Sequence, residues 1–298
     1  MIGGMDSSPA PEPPTPSVIH GLVRQVLPHE PGLAVEPVDE GGEHSTWWVG
    51  DRYVLRLTLD PDAGARQRRE LLLRDAIRPR LPVGVPASVA AGVWAPGLTY
   101  TVDTRLSGTS ADHRPVCPEG ESDLAGLLAG LRGLPPAAMA ALRLPEQRPR
   151  ALDRLHAAAE EAADLLTAVG EMPAALASHR ASGTRDHSAP APNPVVLHND
   201  LKGEHLMVSS AGRVSGVLDW ADAALGDPAE DVAGLALSVG ASAAVRVATA
   251  AGHAPEVARR GVLLARYDTA IRLAERLRGR DDSPLPLLRA QLARAWER

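Results

Sequence analysis

The chain has 298 residues, 44% hydrophobic and 23% charged, with a formal net charge of −6. That is the composition of a soluble globular protein long enough for two lobes, and its acidic balance argues against a nucleic-acid-binding face. A single cysteine, Cys117, excludes an intramolecular disulfide or a cysteine-built zinc cluster and fits a reducing cytoplasm.

The first segment, "MIGGMDSSPAPEPPTP", has no basic n-region and no apolar h-region, so it does not read as a secretory signal; its Pro and Ser content predicts a disordered leader over 1–16. "SVIHGLVRQVL" has helical spacing behind a cap at Ser17. "LAVEPVDEGGEHSTWWVGDRYVLRLTLD" reads as short strands with turns at Gly41-Gly42 and Gly50-Asp51. An amphipathic helix is expected over Gly64–Leu81, followed by two more strands in 83–103. No residue between Arg80 and Asp103 is charged, but Pro82, Pro86 and Pro96 argue against a membrane span there. Trp47 and Trp48 are adjacent on a strand, so only one can face a core; the other is free to cover a ligand. This region reads as a small antiparallel sheet with one inserted helix.

The remainder is mostly helical. Helices are expected in "ESDLAGLLAGLRGL" and "ALDRLHAAAEEAADLLTAVG", the latter with Glu160, Glu161 and Asp164 on its wet face. Residues 178–194, rich in Pro, Ser and Gly, read as a surface loop. A turn at Ala211-Gly212 leads to a second apolar strand, and "GDPAED" opens another helix. There Asp227 is placed to cap, Pro228 takes the first helical position, and Glu230 stands where a capping box has its acid. Two or three more helices complete an α+β chain.

Chemistry concentrates in "VVLHNDLKGEHLMV" and "VSGVLDW". A hairpin between them brings Asp200, His205 and Asp219 to one end of a ribbon. Two carboxylates and an imidazole there can accept a proton from a hydroxyl and hold a divalent metal.

"LHNDLKGEHLMV" followed by "GVLDWADAALGDPAEDVAGL" resembles the aminoglycoside and macrolide phosphotransferases, a family of kinase-like antibiotic phosphotransferases. The pattern is H-x-D-x-x-x-x-N/H, a hairpin, an Asp in a "DW" setting, then "GDPxxD". The resemblance implies a bilobal protein-kinase-like fold, with a nucleotide-binding lobe over 17–106 and a helical lobe over 107–298 holding the catalytic loop and acceptor site. It implies Asp200 as catalytic base, and His205 and Asp219 as ligands of Mg²⁺, or of Mn²⁺ given the imidazole. Gly42, with Gly41, together with Ser45 and Thr46 would cover the phosphates. Arg56 stands in the place of the kinase lysine, with Glu70 as its partner on the following helix. Asp103 falls in the hinge segment 100–106 that holds the nucleotide base. His198 and Asp231 read as scaffolding of the loop, and Asp227 as a cap. Lys202 is a flanking cation within reach of the γ-phosphate, and Glu204 a solvated flank.

The function so implied is O-phosphorylation of an antibiotic hydroxyl from GTP or ATP, conferring resistance. The chain after Asp231 has no acid until Glu256, and arginines surround Asp268 and Glu275, which favours a macrolide-like acceptor over a polycationic aminoglycoside. A cytoplasmic monomer with no membrane or nucleic-acid partner is expected. Two other readings compete: a kinase of a small hydroxylated metabolite, and a metal-dependent hydrolase built on His198, Asp200, His205 and Asp219. A nucleotide-binding pseudokinase fits less well, since both aspartates are present.

Overall fold

The computed structural model describes residues 14–38, 44–171, 176–177, 189–191 and 193–297. These fall into two compact units. One takes the described residues up to Asp75 together with Pro86–Arg105; the other takes Ala76–Val85 and the described residues from Leu106 onward.

The N-terminal unit opens with α1 (Pro16–Val26). Its cap is Thr15 rather than the expected Ser17: Val18 N–H donates to Thr15 Oγ1 at 3.4 Å, and Pro16 begins the helix, where a missing N–H costs nothing. Five strands follow, β1 (Val35–Pro37), β2 (His44–Val49), β3 (Tyr53–Thr58), β4 (Ser88–Ala95) and β5 (Leu98–Thr104). They form one antiparallel sheet in the order β1-β2-β3-β5-β4. The uncharged run before Asp103 is thus the β4–β5 hairpin.

Period-two alternation gives this sheet two different faces. Val49, Leu55, Leu57, Tyr100 and Val102 form one, packed with Trp47 against Ile19 and Val23 of α1. Register places Thr46, Arg56 and Thr101 directly across from one another, with Asp103 two residues on, so the other face is polar. Trp48 is on this polar side, and the Arg105 guanidinium lies 4.2 Å from its ring centroid. Between β3 and β4 runs α2 (Pro61–Ile77), which starts earlier than Gly64 because Asp60 caps it: Ala63 N–H donates to Asp60 Oδ1 at 2.7 Å. It ends at Ile77, where Arg78–Arg80 tightens into a 3₁₀ turn around Pro79.

In the C-terminal unit, β6 (Thr109–Ser110), β8 (Leu206–Val208) and β9 (Val214–Val217) make one small sheet, and β7 (Val195–Leu197) pairs with β10 (Ala224–Gly226). The helices are α3 (Pro118–Arg132), α4 (Pro136–Leu142), α5 (Leu152–Ala168), α6 (Ala229–Ser238), α7 (Ala241–Ala250), α8 (Pro255–Leu277) and α9 (Leu285–Ala295). The short α4 was not expected from the sequence. The long α8 is the spine of this unit, packing against α5, α6, α7 and α9. Among the described residues no helix is long and apolar enough to cross a membrane.

At the start of α6 the expected cap is present and the expected capping box is not. Asp227 Oδ1 accepts the Ala229 N–H at 3.1 Å, while its other oxygen accepts Arg260 Nε of α8 at 2.6 Å, both side chains being buried. Glu230 does not reach back to the cap, because Arg150 holds it, at 3.1 and 2.6 Å, and holds Asp268 of α8 at 2.9 and 2.8 Å. Asp227 therefore fixes α6 to α8 as well as starting it. Replacing Arg260 by Met strands the Asp227 charge, and chemical denaturation is expected to show a loss of about 3–5 kcal/mol. Arg260→Met combined with Asp227→Asn is expected to recover much of it.

Candidate active site

The first two residues of the segment between β7 and β8, 198–205, are held by backbone bonds to a single carboxylate, and its far end by Ala111 N–H and the Ser110 hydroxyl, both donating to Gly203 O at 3.0 Å. His198 N–H and Asn199 N–H donate to the two oxygens of Asp231, at 2.9 and 2.8 Å, from the first turn of α6. Asn199 takes φ of +68°, a left-handed conformation that Asn tolerates better than most residues, and its Nδ2 donates to Asp222 O at 3.1 Å. Gly234 lets α6 approach the loop, since a Cβ there would lie 2.6 Å from Leu201 O.

His198 is fully buried. Its Nδ1 accepts the Asp200 N–H at 3.2 Å and its Nε2 lies 2.8 Å from Leu218 O, which together fix the tautomer with the proton on Nε2. Its ring meets Trp220 edge-on at 4.6 Å. Burial pulls its pKa down to about 4. With both nitrogens engaged, His198 has no lone pair left for a metal, and this removes the hydrolase constellation that needed it. Burial acts on Asp231 in the opposite sense, pushing its pKa up to about 7 against the pull of its two N–H donors.

Asp200 follows with a side chain 22% exposed. Lys202 Nζ is 2.5 Å from Oδ1, and His205 Nδ1 is 3.6 Å from Oδ2. His205 Nδ1–H donates to the Asp200 carbonyl at 2.8 Å, which leaves Nε2 as the nitrogen able to take a metal. Asp200, Glu204 and His205 each offer one ligand atom, all within 4.8 Å of one another. Leu218 N–H donates to His205 O at 2.9 Å, so Asp219 lies one residue beyond that register point, with φ of +55° and its Oδ1 accepting Ala221 N–H at 3.4 Å. Glu204, which the sequence reads as a solvated flank, joins Asp200 and His205 in this set, and Asp219 stands just beyond the strand point that meets His205. The donors present, carboxylate oxygens and one imidazole nitrogen, fit a divalent cation of the Mg²⁺ or Mn²⁺ kind.

The N-terminal unit supplies a separate cluster. Arg56 Nη1 donates to both oxygens of Glu70 on α2, at 3.0 and 3.2 Å, as the kinase-like reading expects. Thr46 sits across from Arg56 in the sheet, while the Ser45 hydroxyl accepts Trp47 Nε1 at 2.8 Å. Gly42, with Gly41, lies outside the described residues. Asp103, expected in the hinge segment, has its side chain turned to protein partners. It is buried and bonded to Arg74, Ser88 and Thr101.

A sheet-rich unit carrying a paired cation and a helical unit carrying an H-x-D loop define a kinase-like phosphotransferase fold. A sequence profile of the phosphotransferase enzyme family (APH) matches residues 34–267, and the chain belongs to that family. Among curated proteins, viomycin phosphotransferase of Streptomyces vinaceus is 42% identical over 62 residues, 20% of this chain and 22% of that protein. The chain therefore spans about a fifth of the length of the curated relative it matches. Among solved structures, the GDP complex of aminoglycoside 2'-phosphotransferase-IIIa is similar at a TM-score of 0.65 and 17% identity, over 95% of this chain and 99% of that one. Macrolide 2'-phosphotransferase MphH from Brachybacterium faecium is similar at 0.57 and 21%, over 92% and 97%. At those identities the likeness shows the fold.

The buried His198 gives a direct pH test. An unfolded His titrates near 6.5 and the folded one near 4, so the unfolded state binds more protons between those values. The His198 contribution to stability is therefore intact above 6.5 and falls as pH drops toward 4. Imidazole ¹⁵N NMR is expected to show the Nε2–H tautomer at neutral pH and a titration midpoint near 4.

Proposed function

We propose that this chain transfers the γ-phosphoryl group of GTP or ATP to a hydroxyl of a small-molecule antibiotic, inactivating it. The observation that carries this reading is the Asp200 loop, whose backbone is anchored to Asp231 and whose part-exposed carboxylate stands beside Lys202 and His205. In the proposed reaction Asp200 orients the acceptor hydroxyl and takes its proton. The acceptor oxygen bonds to the γ-phosphorus as the bridge to the β-phosphate breaks, and the nucleoside diphosphate leaves. Lys202 holds a γ-phosphate oxygen, and Arg56, kept in place by Glu70, offers its guanidinium to the other phosphates with Thr46 alongside.

His205 through Nε2, with Asp219, is the proposed metal pair, and Glu204 an added carboxylate. A divalent cation held there would neutralise charge on the phosphates. Similar solved structures support a nucleotide donor: one is a GDP complex, another a streptomycin–ATP complex of an aminoglycoside 2''-phosphotransferase.

For the acceptor we favour a macrolide-like lactone. A polycation calls for acids without cationic partners, and here Glu230 and Asp268 are paired with Arg150, and Glu275 with Arg278 and Arg280. The local likeness to viomycin phosphotransferase adds viomycin to the compounds worth testing.

Turnover of ATP and GTP should be measured against macrolides, aminoglycosides and viomycin. A macrolide is expected to give the highest kcat/KM. Asp200→Asn should lower kcat about 10²–10⁴-fold while nucleotide affinity is kept; unchanged turnover would refute the assignment of the base. With an imidazole among the ligands, turnover is expected to be higher in limiting Mn²⁺ than in limiting Mg²⁺, and His205→Asn to narrow that difference.

A further inference from the structure

Behind the Arg56–Glu70 pair lies a second ion pair that phosphate binding does not use. Arg74 and Asp103 are 1% and 3% exposed. Arg74 donates to both oxygens of Asp103, at 3.1 and 3.0 Å, and to the Ser88 hydroxyl at 2.8 Å. The hydroxyls of Ser88 and Thr101 in turn donate to the two Asp103 oxygens. Burial would raise the Asp103 pKa, but the Arg74 charge and these donors outweigh it and hold the carboxyl below the usual range.

Arg74 is one helical turn after Glu70, and its Nη1 lies 3.6 Å from Glu70 Oε1. A chain of alternating charge therefore runs from Arg56 on β3, through Glu70 and Arg74 on α2, to Asp103 on β5. The middle of the α2 stripe that carries it is polar: Gln67, Glu70 and Arg74, spaced three and four apart, are all buried between apolar Ala63 and Ile77, and Gln67 Nε2 donates to Arg56 O at 3.4 Å. Apolar packing of this stripe would leave the helix free to slide or roll by small amounts. Directional bonds from Arg74 to two strands do not.

We infer that Arg74 and Asp103 are positioning residues of the phosphotransfer site: they fix the rotation of α2 so that Glu70 stays on Arg56, which in turn presents its guanidinium to the nucleotide phosphates. Because Arg74 and Arg56 share Glu70 Oε1, Glu70 orients Arg56 without cancelling all of its charge. This inference rests on Arg56 being the phosphate-binding cation.

The test separates the two ideas. Arg74→Met with Asp103→Leu removes the pair without stranding a buried charge, so the fold should survive, as circular dichroism would show. Nucleotide KM is expected to rise about tenfold, with kcat and the acceptor KM changed less than about twofold. Arg74→Lys, which keeps charge but loses the fork, should fall between wild type and the double variant. Arg56→Ala and Glu70→Gln are run beside it. If they raise nucleotide KM and the double variant does not, the positioning role is overturned and the Arg56 reading stands. If neither raises it, the Arg56 reading fails and the inference falls with it. Should the double variant not fold, Asp103→Asn takes its place with the same expectation, read by calorimetric titration of a non-hydrolysable nucleotide; unchanged affinity there also overturns the role.

Discussion

The entry to the loop that carries Asp200 depends on one buried carboxylate. Asp231 accepts the His198 and Asn199 N–H groups with its two oxygens, and so ties the loop to the first turn of α6. A buried carboxylate left without donors would be costly, and two buried N–H groups left without acceptors equally so, which makes the joint hard to break from either side. The near half of the loop is set from there, while its far half is held by Ala111 N–H and the Ser110 hydroxyl on Gly203 O and by Leu218 N–H on His205 O. Asn199 turns the chain through a left-handed residue, His198 accepts the Asp200 N–H, and the Asp200 carbonyl selects the His205 tautomer. The side chain proposed to do the chemistry makes few of these bonds itself; its backbone is held, and its carboxylate is left part-exposed.

The N-terminal unit solves a different problem with a similar economy of parts. Its sheet is apolar toward α1 and charged toward α2, and the charged face buries Glu70, Arg74 and Asp103. Buried ion pairs are a poor source of net stability, since desolvation offsets most of their attraction. They are a good source of geometric definition when each group is bidentate or bonded to more than one strand, as Arg74 is. The same contrast recurs at Asp227–Arg260 and at Arg150 between Glu230 and Asp268, where arginines join segments far apart in the chain.

Much of the element pattern was legible in the sequence because it rests on local rules: helical spacing, strand alternation, Pro at helix starts, and Gly-rich turns. The Arg56–Glu70 pair and the scaffolding roles of His198 and Asp231 came from the motif resemblance, and the geometry fits them. What was not legible is long-range pairing. Nothing local to Asp103 announces that Arg74 will claim its carboxylate, and Glu230 looked like a capping-box acid until Arg150, 80 residues earlier, took it. Asn199 could have been noticed, since Asn between His and Asp in a tight loop is a signal for positive φ. Glu204 reads as solvated in the sequence because a lone acid two residues from Lys202 carries no local signal; its place near Asp200 and His205 appears only when residues 203–205 form a 3₁₀ turn.

The dependence of the loop on Asp231 is open to a direct measurement: amide hydrogen exchange at His198 and Asn199 in wild type and Asp231→Ala, with turnover and nucleotide affinity measured on the same samples. Protection at both amides should be lost in the variant, with turnover down about 100-fold, since a small displacement of a catalytic group carries that scale of loss, and nucleotide affinity kept within about twofold. Wild-type turnover with those two amides unprotected would contradict the claim that this carboxylate holds the catalytic loop in its working form.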